Sequence, residues 1–185
     1  MRLRRIEDEF GDDIQLATRS FLLRPHPEPG RTLERFREYT RSWLRPASDP
    51  DAPPFRVWAT DAGPPSHSVP PHLVAKAAAT LGDAAFRRID EALFRAYFGE
   101  NRDITDEATL RALWAEVGLP DDAFARAADP ALAERVFAEH DEALAYGVTG
   151  VPAVRMEGRA GLVVGAQPYE TFRSWVRRAL AEPGD

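Results

Sequence analysis

The sequence predicts an α/β domain that carries an all-helical insertion. Three observations lead to this fold class: period-two alternation at residues 14–22, helical periodicity from about 71 to 146, and two short apolar runs near the end of the chain. The predicted order is therefore helix, strand, helical bundle, hairpin and helix. The length of 185 residues suits one core domain with a single insertion.

The first part of the chain is predicted to form a helix, a strand and a second helix. Apolar side chains recur on one face of residues 2–10, and Gly11 is placed to stop that helix. Residues 14–22 then alternate with the period of a strand. The prolines of residues 24–30 end this strand, because proline cannot donate to a sheet ladder. Helical spacing returns over residues 32–44.

Helical signals dominate the middle of the chain. Thr105 is predicted to cap one helix, because a hydroxyl can accept a hydrogen bond from a free N–H in the first turn. Asp129-Pro130 predicts the start of another helix, since a capping carboxylate is followed there by a proline in the first turn. Gly147 closes that helix.

The end of the chain predicts a hairpin and a last helix. Residues 151–156 and 162–165 are apolar runs separated by a turn that contains two glycines. Pro168 then starts an amphipathic helix. The predicted organisation is a core of residues 1–45 and 147–185, a proline-rich connection at 46–70 and a helical insertion at 71–146.

Composition and charge argue against several classes of function. A net charge of −6 does not favour nucleic-acid binding, and the absence of a long apolar run argues against a membrane span. Many arginines lie three or four residues from acids, which predicts a solvated helix face. The basic residues 2–5 are followed by acidic residues 7–9 where a signal peptide needs an apolar stretch. We therefore predict a cytoplasmic protein.

The chemistry that the chain can perform is limited by its lack of cysteine. The 185 residues contain none, which excludes disulfides, zinc–thiolate sites and cysteine nucleophiles within this polypeptide. The four histidines show no metal-ligand spacing, so we predict no metal site and no cofactor. His140 lies on an apolar helical face and is predicted to be a packed histidine.

Several motifs, taken in order, resemble one known family. Gly147-Val148-Thr149-Gly150-Val151-Pro152, followed by two apolar strands, Gly165-Ala166-Gln167-Pro168 and a terminal helix, resembles the end of a DsbA-like thioredoxin domain. The segments at 20–25, 72–75 and 94–104 resemble the FrnE-type branch of that family, although the branch often has asparagine where Arg24 stands. The resemblance extends over residues 2–181.

This resemblance implies a thioredoxin-like fold and a substrate site. It implies that Val151–Pro152 is a cis peptide bond and that the substrate-binding residues are Gly150, Val151, Pro152, Gly165, Ala166 and Gln167. Family members begin with a strand and a Cys-x-x-Cys at the first helix, whereas Met1 falls partway along the matching helix. The fold is therefore expected to be N-terminally incomplete, with no catalytic residue in this chain.

Three functional hypotheses follow from the resemblance. The first is a thiol–disulfide oxidoreductase family member that lacks dithiol activity in this form, either because the start codon is placed too late or because the chain is a degenerate paralogue. The second is a glutathione-dependent isomerase or transferase that resembles the 2-hydroxychromene-2-carboxylate isomerases. The third is a non-catalytic module that binds extended peptide beside Pro152 by β-augmentation. The implied partner is a thiol or disulfide protein or a glutathione-like molecule.

The absent strand leads to one structural expectation. In the resembled fold it lies between the strand near 14–22 and the strand near 151–156, so both neighbours would carry unpaired backbone groups. We expect dimerisation or a repair of the sheet, in which these two strands pair or the segment 55–58 enters, rather than an empty slot.

Overall fold

A computed structural model describes residues 2–28, 30–48, 52 and 54–181. The chain divides into two compact units, residues 1–21 with 139–185 and residues 22–138. The fold is of the predicted α/β, thioredoxin-like class, mostly helical with a small sheet. These boundaries are not those predicted. Residues 22–70 belong to the same unit as the helices up to residue 138, and residues 139–146 belong to the unit that contains both ends of the chain.

The first unit contains two helices, a hairpin and the end of a third helix. Helix α1 is Arg2–Phe10 and is followed by a 3-10 turn at Gly11–Asp13. The other elements are the last part of α7 (Pro130–Ala145), strands β1 (Ala153–Arg155) and β2 (Leu162–Val164), and α8 (Tyr169–Ala181). The final helix and the hairpin are as predicted.

The hairpin is antiparallel and packs its alternate residues into a small core. Val154 pairs with Val163 in its centre. These two valines contact a cluster whose buried members are Ile6, Phe172 and Val176. Because Ile6 lies on α1 and the other two on α8, the amphipathic faces of both helices cover one side of the hairpin.

The segment at residues 14–22 is not a strand, which corrects the prediction. In the part of the chain that the structure describes, the sheet consists of β1 and β2 alone. The Ser20 N–H donates 2.7 Å to a carboxylate oxygen of Glu139 instead of to a neighbouring strand. His140 is buried as predicted, with its ring centroid 5.1 Å from that of Phe21. Side chains of α7 therefore hold this extended segment.

The second unit is helical. Its helices are α2 (Leu33–Thr40), α3 (Leu44–Ala47), α4 (Val69–Ala79), α5 (Asp83–Phe94), α6 (Glu107–Glu116) and the first part of α7. A π-helical turn at Arg95–Gly99 follows α5, and 3-10 segments occupy Arg41–Trp43 and Asp121–Ala128. Its largest core includes Ile89, Leu113 and Trp114, which are almost fully buried.

Two predicted helix starts have different outcomes. Asp129 caps α7 as predicted, because its Oδ1 accepts from the Ala131 N–H at 2.9 Å. The predicted cap of α6 at Thr105 is wrong by one residue: Asp106 accepts from the Thr109 N–H at 2.8 Å. The Thr105 hydroxyl instead donates to Asp103, at 2.6 Å.

An aromatic cluster joins the proline-rich connection to the helices. Phe36, Trp43 and Trp58 are buried in it. The backbone N–H of Trp58 donates a hydrogen bond to the Thr40 hydroxyl at 3.0 Å. The backbone N–H of Arg56 donates one to the Phe98 carbonyl at 2.8 Å. These bonds explain why residues 54–60 belong to the helical unit, and they contradict the expectation that the segment 55–58 repairs the sheet. The pairing of residues 14–22 with β1 is likewise not observed, and dimerisation stays a prediction.

Candidate functional site

The loop that precedes β1 is oriented by the end of α7. Gly147 has φ = +79°, a conformation that glycine adopts without strain. Its N–H donates 2.9 Å to the Leu144 carbonyl, and the Val148 N–H donates 3.0 Å to the Ala143 carbonyl. This is the Schellman arrangement, in which the residue after the glycine also makes an apolar contact. The buried Val148 side chain thus fixes where the loop leaves the helix.

The loop presents its backbone to solvent just before the edge of the sheet. Val151 is 52% exposed, and Pro152 is exposed as well. The Val151–Pro152 peptide bond is cis, which agrees with the prediction. Among the described residues, neither the N–H nor the C=O of Val151 has a hydrogen-bond partner. A free donor and a free acceptor therefore lie side by side at the start of β1.

The second group of predicted site residues contacts the first at one point. The Gly165 N–H donates 2.8 Å to the Pro152 carbonyl and extends the pairing of the hairpin. The Gln167 side chain donates 2.9 Å to the Val164 carbonyl, and the Ala166 carbonyl accepts from Arg2 at 3.2 Å. Gly165 therefore supports the loop, Gln167 braces the end of β2, and Val151 is the residue whose backbone N–H and C=O are free among the described residues.

A charged network links α1 and α8 in the same unit. One carboxylate, that of Glu9, accepts from the Tyr169 hydroxyl, from Arg173 at 2.7 Å and from Arg177 at 3.0 Å. The hydrogen bond from Tyr169, and then the contact with Arg173, lower the pKa of Glu9 below its ordinary value of 4.5. The same bond to Glu9 raises the pKa of Tyr169. The sequence contains no local signal for this contact between the two ends of the chain.

The hairpin also borders an open cavity that the sequence does not reveal. It has a volume of about 380 Å³ and is lined by Tyr146, Arg155, Arg159, Ala160, Gly161 and Leu162. The Arg155 guanidinium lies 3.7 Å from the centroid of the Tyr146 ring. The cavity is therefore lined by two arginines, Arg155 and Arg159, beside the Tyr146 ring and the turn of the hairpin.

We searched the described residues for metal-binding groups and for membrane-spanning helices. Within the ranges 2–28, 30–48 and 54–181, no three His, Asp or Glu side chains come together in a way that could hold a metal ion. None of the helices among the described residues combines the length and the apolar character that a bilayer crossing requires.

The fold and the loop before β1 define a thioredoxin-type domain with a helical insertion. Residues 1–177 match the family model of the DSBA-like thioredoxin domain, and the chain belongs to this family. This confirms the resemblance at the level of the family.

Solved structures of similar fold include two proteins of disulfide chemistry. A proposed protein disulfide isomerase from Nitrosomonas europaea superposes with a TM-score of 0.73 at 19% identity, over 99% of this chain and 90% of that one. The cytosolic disulfide reductase DsbM from Pseudomonas aeruginosa gives 0.70 at 22% identity, over 97% and 90%. DsbM with glutathione (GSH) gives 0.72 at 20%, over 98% and 91%. These TM-scores show a similar fold. No curated protein matches the chain.

Proposed function

We propose that this polypeptide binds a thiol- or disulfide-containing peptide, or a glutathione-like molecule, at the loop of Gly150, Val151 and Pro152. The observation that carries the proposal is the exposed Val151, whose backbone N–H and C=O are unpaired among the described residues and directly precede strand β1. An extended chain can pair with such a residue as an added strand would. Gly165 supports this loop from the end of β2 through its hydrogen bond to the Pro152 carbonyl, and we propose that Ala166 and Gln167, which follow it, complete the ligand site.

We further propose that the polypeptide has no thiol–disulfide exchange activity of its own. Exchange proceeds through a thiolate that attacks a disulfide sulfur, and the 185 residues contain no cysteine. Hydroxyl and carboxylate groups cannot replace a thiolate in forming a mixed disulfide. Of the family's activity, thiol–disulfide oxidoreduction, we propose that this chain retains only the recognition of the substrate.

Three finer assignments belong to the same proposal. The FrnE-type branch is supported by the helical unit between residues 22 and 138. A cytoplasmic location is supported by the similar fold of the cytosolic reductase DsbM. A homodimer is supported by the one-sided pairing of β1, since an exposed strand edge invites a second strand.

A glutathione-dependent isomerase or transferase is the alternative function. The similarity to DsbM with glutathione supports a glutathione-like ligand for this chain. This alternative requires turnover of an organic substrate in the presence of glutathione, whereas the binding function requires none.

Two measurements test the proposal. In an insulin-reduction assay with dithiothreitol, the purified chain should not exceed the background rate, and catalysis above background would overturn the second part. Fluorescence anisotropy with a labelled insulin B chain, kept in its thiol form by a phosphine reductant, should show saturable binding that glutathione competes away. V151P removes the backbone N–H and should abolish it, whereas V151A keeps that donor and should bind normally. Equal binding by both variants, each shown to be folded by circular dichroism, would exclude the Val151 backbone as the site.

A further inference from the structure

We propose that a basic cavity within residues 22–138 binds a small molecule through an oxyanion group, either a phosphate or a carboxylate. The cavity is lined by Arg24, Glu28, Gly30, Arg31, Arg35, Phe36 and Tyr39 and has a volume of about 260 Å³. That volume suits a small metabolite rather than a drug-sized ligand or a protein loop. No residue of the Val151 loop takes part, so this site stands independently of the function proposed above.

The charges around the cavity are unbalanced. Three guanidinium groups face one carboxylate, that of Glu28, which leaves a formal charge of +2. Glu28 lies 3.6 Å from the Nε of Arg24 and is 62% exposed, so solvent weakens that pair. An arginine cluster of this kind recognises carboxylate or phosphate oxygens, because each guanidinium can donate two parallel hydrogen bonds.

Arg31 is held in place but is incompletely satisfied. One of its terminal nitrogens, Nη1, donates to the Pro65 carbonyl, and the guanidinium carbon lies 4.3 Å from the centroid of the Phe36 ring. The other terminal nitrogen, Nη2, is buried and has no hydrogen-bond partner in the described chain. Buried donors without partners are rare, so this guanidinium can take a further acceptor besides the Pro65 carbonyl.

The electrostatic surroundings of Arg31 favour an anion as that acceptor. Burial, and then the charge of Arg24, lower the pKa of the Arg31 guanidinium. Burial also raises the pKa of Tyr97, although Arg24 and Arg31 oppose the shift, so this phenol remains a hydrogen-bond donor at neutral pH. An oxyanion in the cavity beside Arg24 and Arg31 would offset the repulsion between these two arginines.

Two positions of the cavity are suited to mutagenesis. Arg35 and Glu28 are both exposed, so R35Q and E28Q change the charge of the cavity with little risk to folding. Arg41 offers a matched control, because it lies on the turn after α2, is 69% exposed and pairs with Glu38 at 2.9 Å. R41Q removes the same charge from the same unit without touching the cavity.

Calorimetric titration of the full chain with sodium phosphate, and separately with sodium succinate, tests the proposal at constant ionic strength. We expect saturable binding of one of them, weakened by about fivefold or more in R35Q, strengthened about two- to fivefold in E28Q and unchanged in R41Q. A preference for phosphate would identify a phosphorylated ligand, and a preference for succinate a carboxylate. R31Q should abolish binding, and if it fails to fold, the two exposed variants still decide. The proposal fails if neither anion saturates below about 10 mM, or if R35Q and E28Q behave as R41Q does.

Discussion

Replacing Asn101 with alanine should destabilise the helical unit more than any surface change. Asn101 is buried and is the one non-glycine residue with positive φ among those described, at +55°. Its Oδ1 accepts from the Ala59 N–H at 3.0 Å, and its Nδ2 donates to the Arg56 carbonyl at 3.3 Å. The side chain thus ties the proline-rich connection to the turn that follows the π-helical segment.

The magnitude follows from two separate losses. Each lost hydrogen bond costs about 0.5–1.5 kcal/mol, because its partner is only partly open to water. Alanine in the left-handed region adds about 1–2 kcal/mol, a strain that asparagine tolerates better. Together these losses predict that N101A lowers the free energy of unfolding by about 2–5 kcal/mol.

Two further variants separate these contributions. N101G loses the same hydrogen bonds without the backbone strain, so it should be more stable than N101A by about 1 kcal/mol. N101D keeps the acceptor for Ala59 but replaces the donor with an oxygen that faces the Arg56 carbonyl in a buried position, so it should also be less stable than the wild type. Urea unfolding followed by tryptophan fluorescence measures all three, since Trp58 is buried beside this contact. A loss below about 1 kcal/mol in N101A would refute the reasoning.

Two other predictions each concern one side chain, Thr40 in the second unit and Glu9 in the first. T40V should lower the free energy of unfolding by about 1–3 kcal/mol, because it leaves the backbone N–H of Trp58 without its acceptor, whereas T40S retains the hydroxyl. Urea titration compares the two variants, and equal stability would contradict the assignment. The pKa of Glu9 is lowered in the folded state. The ionised Glu9 carboxylate therefore stabilises the fold above about pH 4.5, the unfolded value, and this contribution is lost as the pH falls through the folded pKa. The thermal midpoint of the wild type should therefore fall more steeply below that pH than the midpoint of E9Q, and parallel curves would contradict the role of Glu9.

The helices and the hairpin could be predicted because their signals are local. The aspartate and proline at 129–130 and the glycine at 147 act within one turn of the helix that they begin or end. The apolar runs at 151–156 and 162–165 lie close in sequence and pair with each other. Signals of this range can be read without knowing any distant contact.

The segment at 14–22 could not be assigned correctly for the opposite reason. Alternation with period two indicates an extended chain with one half-buried face, and it does not indicate whether a neighbouring strand exists. In the structure the segment pairs with no strand among the described residues, and its Ser20 N–H bonds to Glu139, more than a hundred residues away. Only that long-range contact distinguishes a strand from an extended segment.

The two candidate sites also differ in whether a local sequence signal reveals them. Val151 and Pro152 could be named because a local motif resembles a family, whereas the basic cavity could not. Its arginines come from the turn at residue 24, from residue 31 before α2 and from the first turn of α2. The spacing of Arg31, Arg35 and Arg41 from nearby acids predicts a solvated helix face instead. That interpretation fits Arg41, which pairs with Glu38, but it misses the cavity that the folded loop creates.

Binding at the Val151 loop would survive where catalysis does not, because the two depend on different atoms. Thiol–disulfide exchange requires a cysteine sulfur, and this chain has none to offer. Pairing with an extended ligand requires a backbone N–H and C=O, which every residue except proline carries. Substitution of the Val151 side chain is therefore expected to leave recognition intact, while loss of the N–H removes it. A binding assay, rather than a turnover assay, is the measurement in which a function of this polypeptide should be detected.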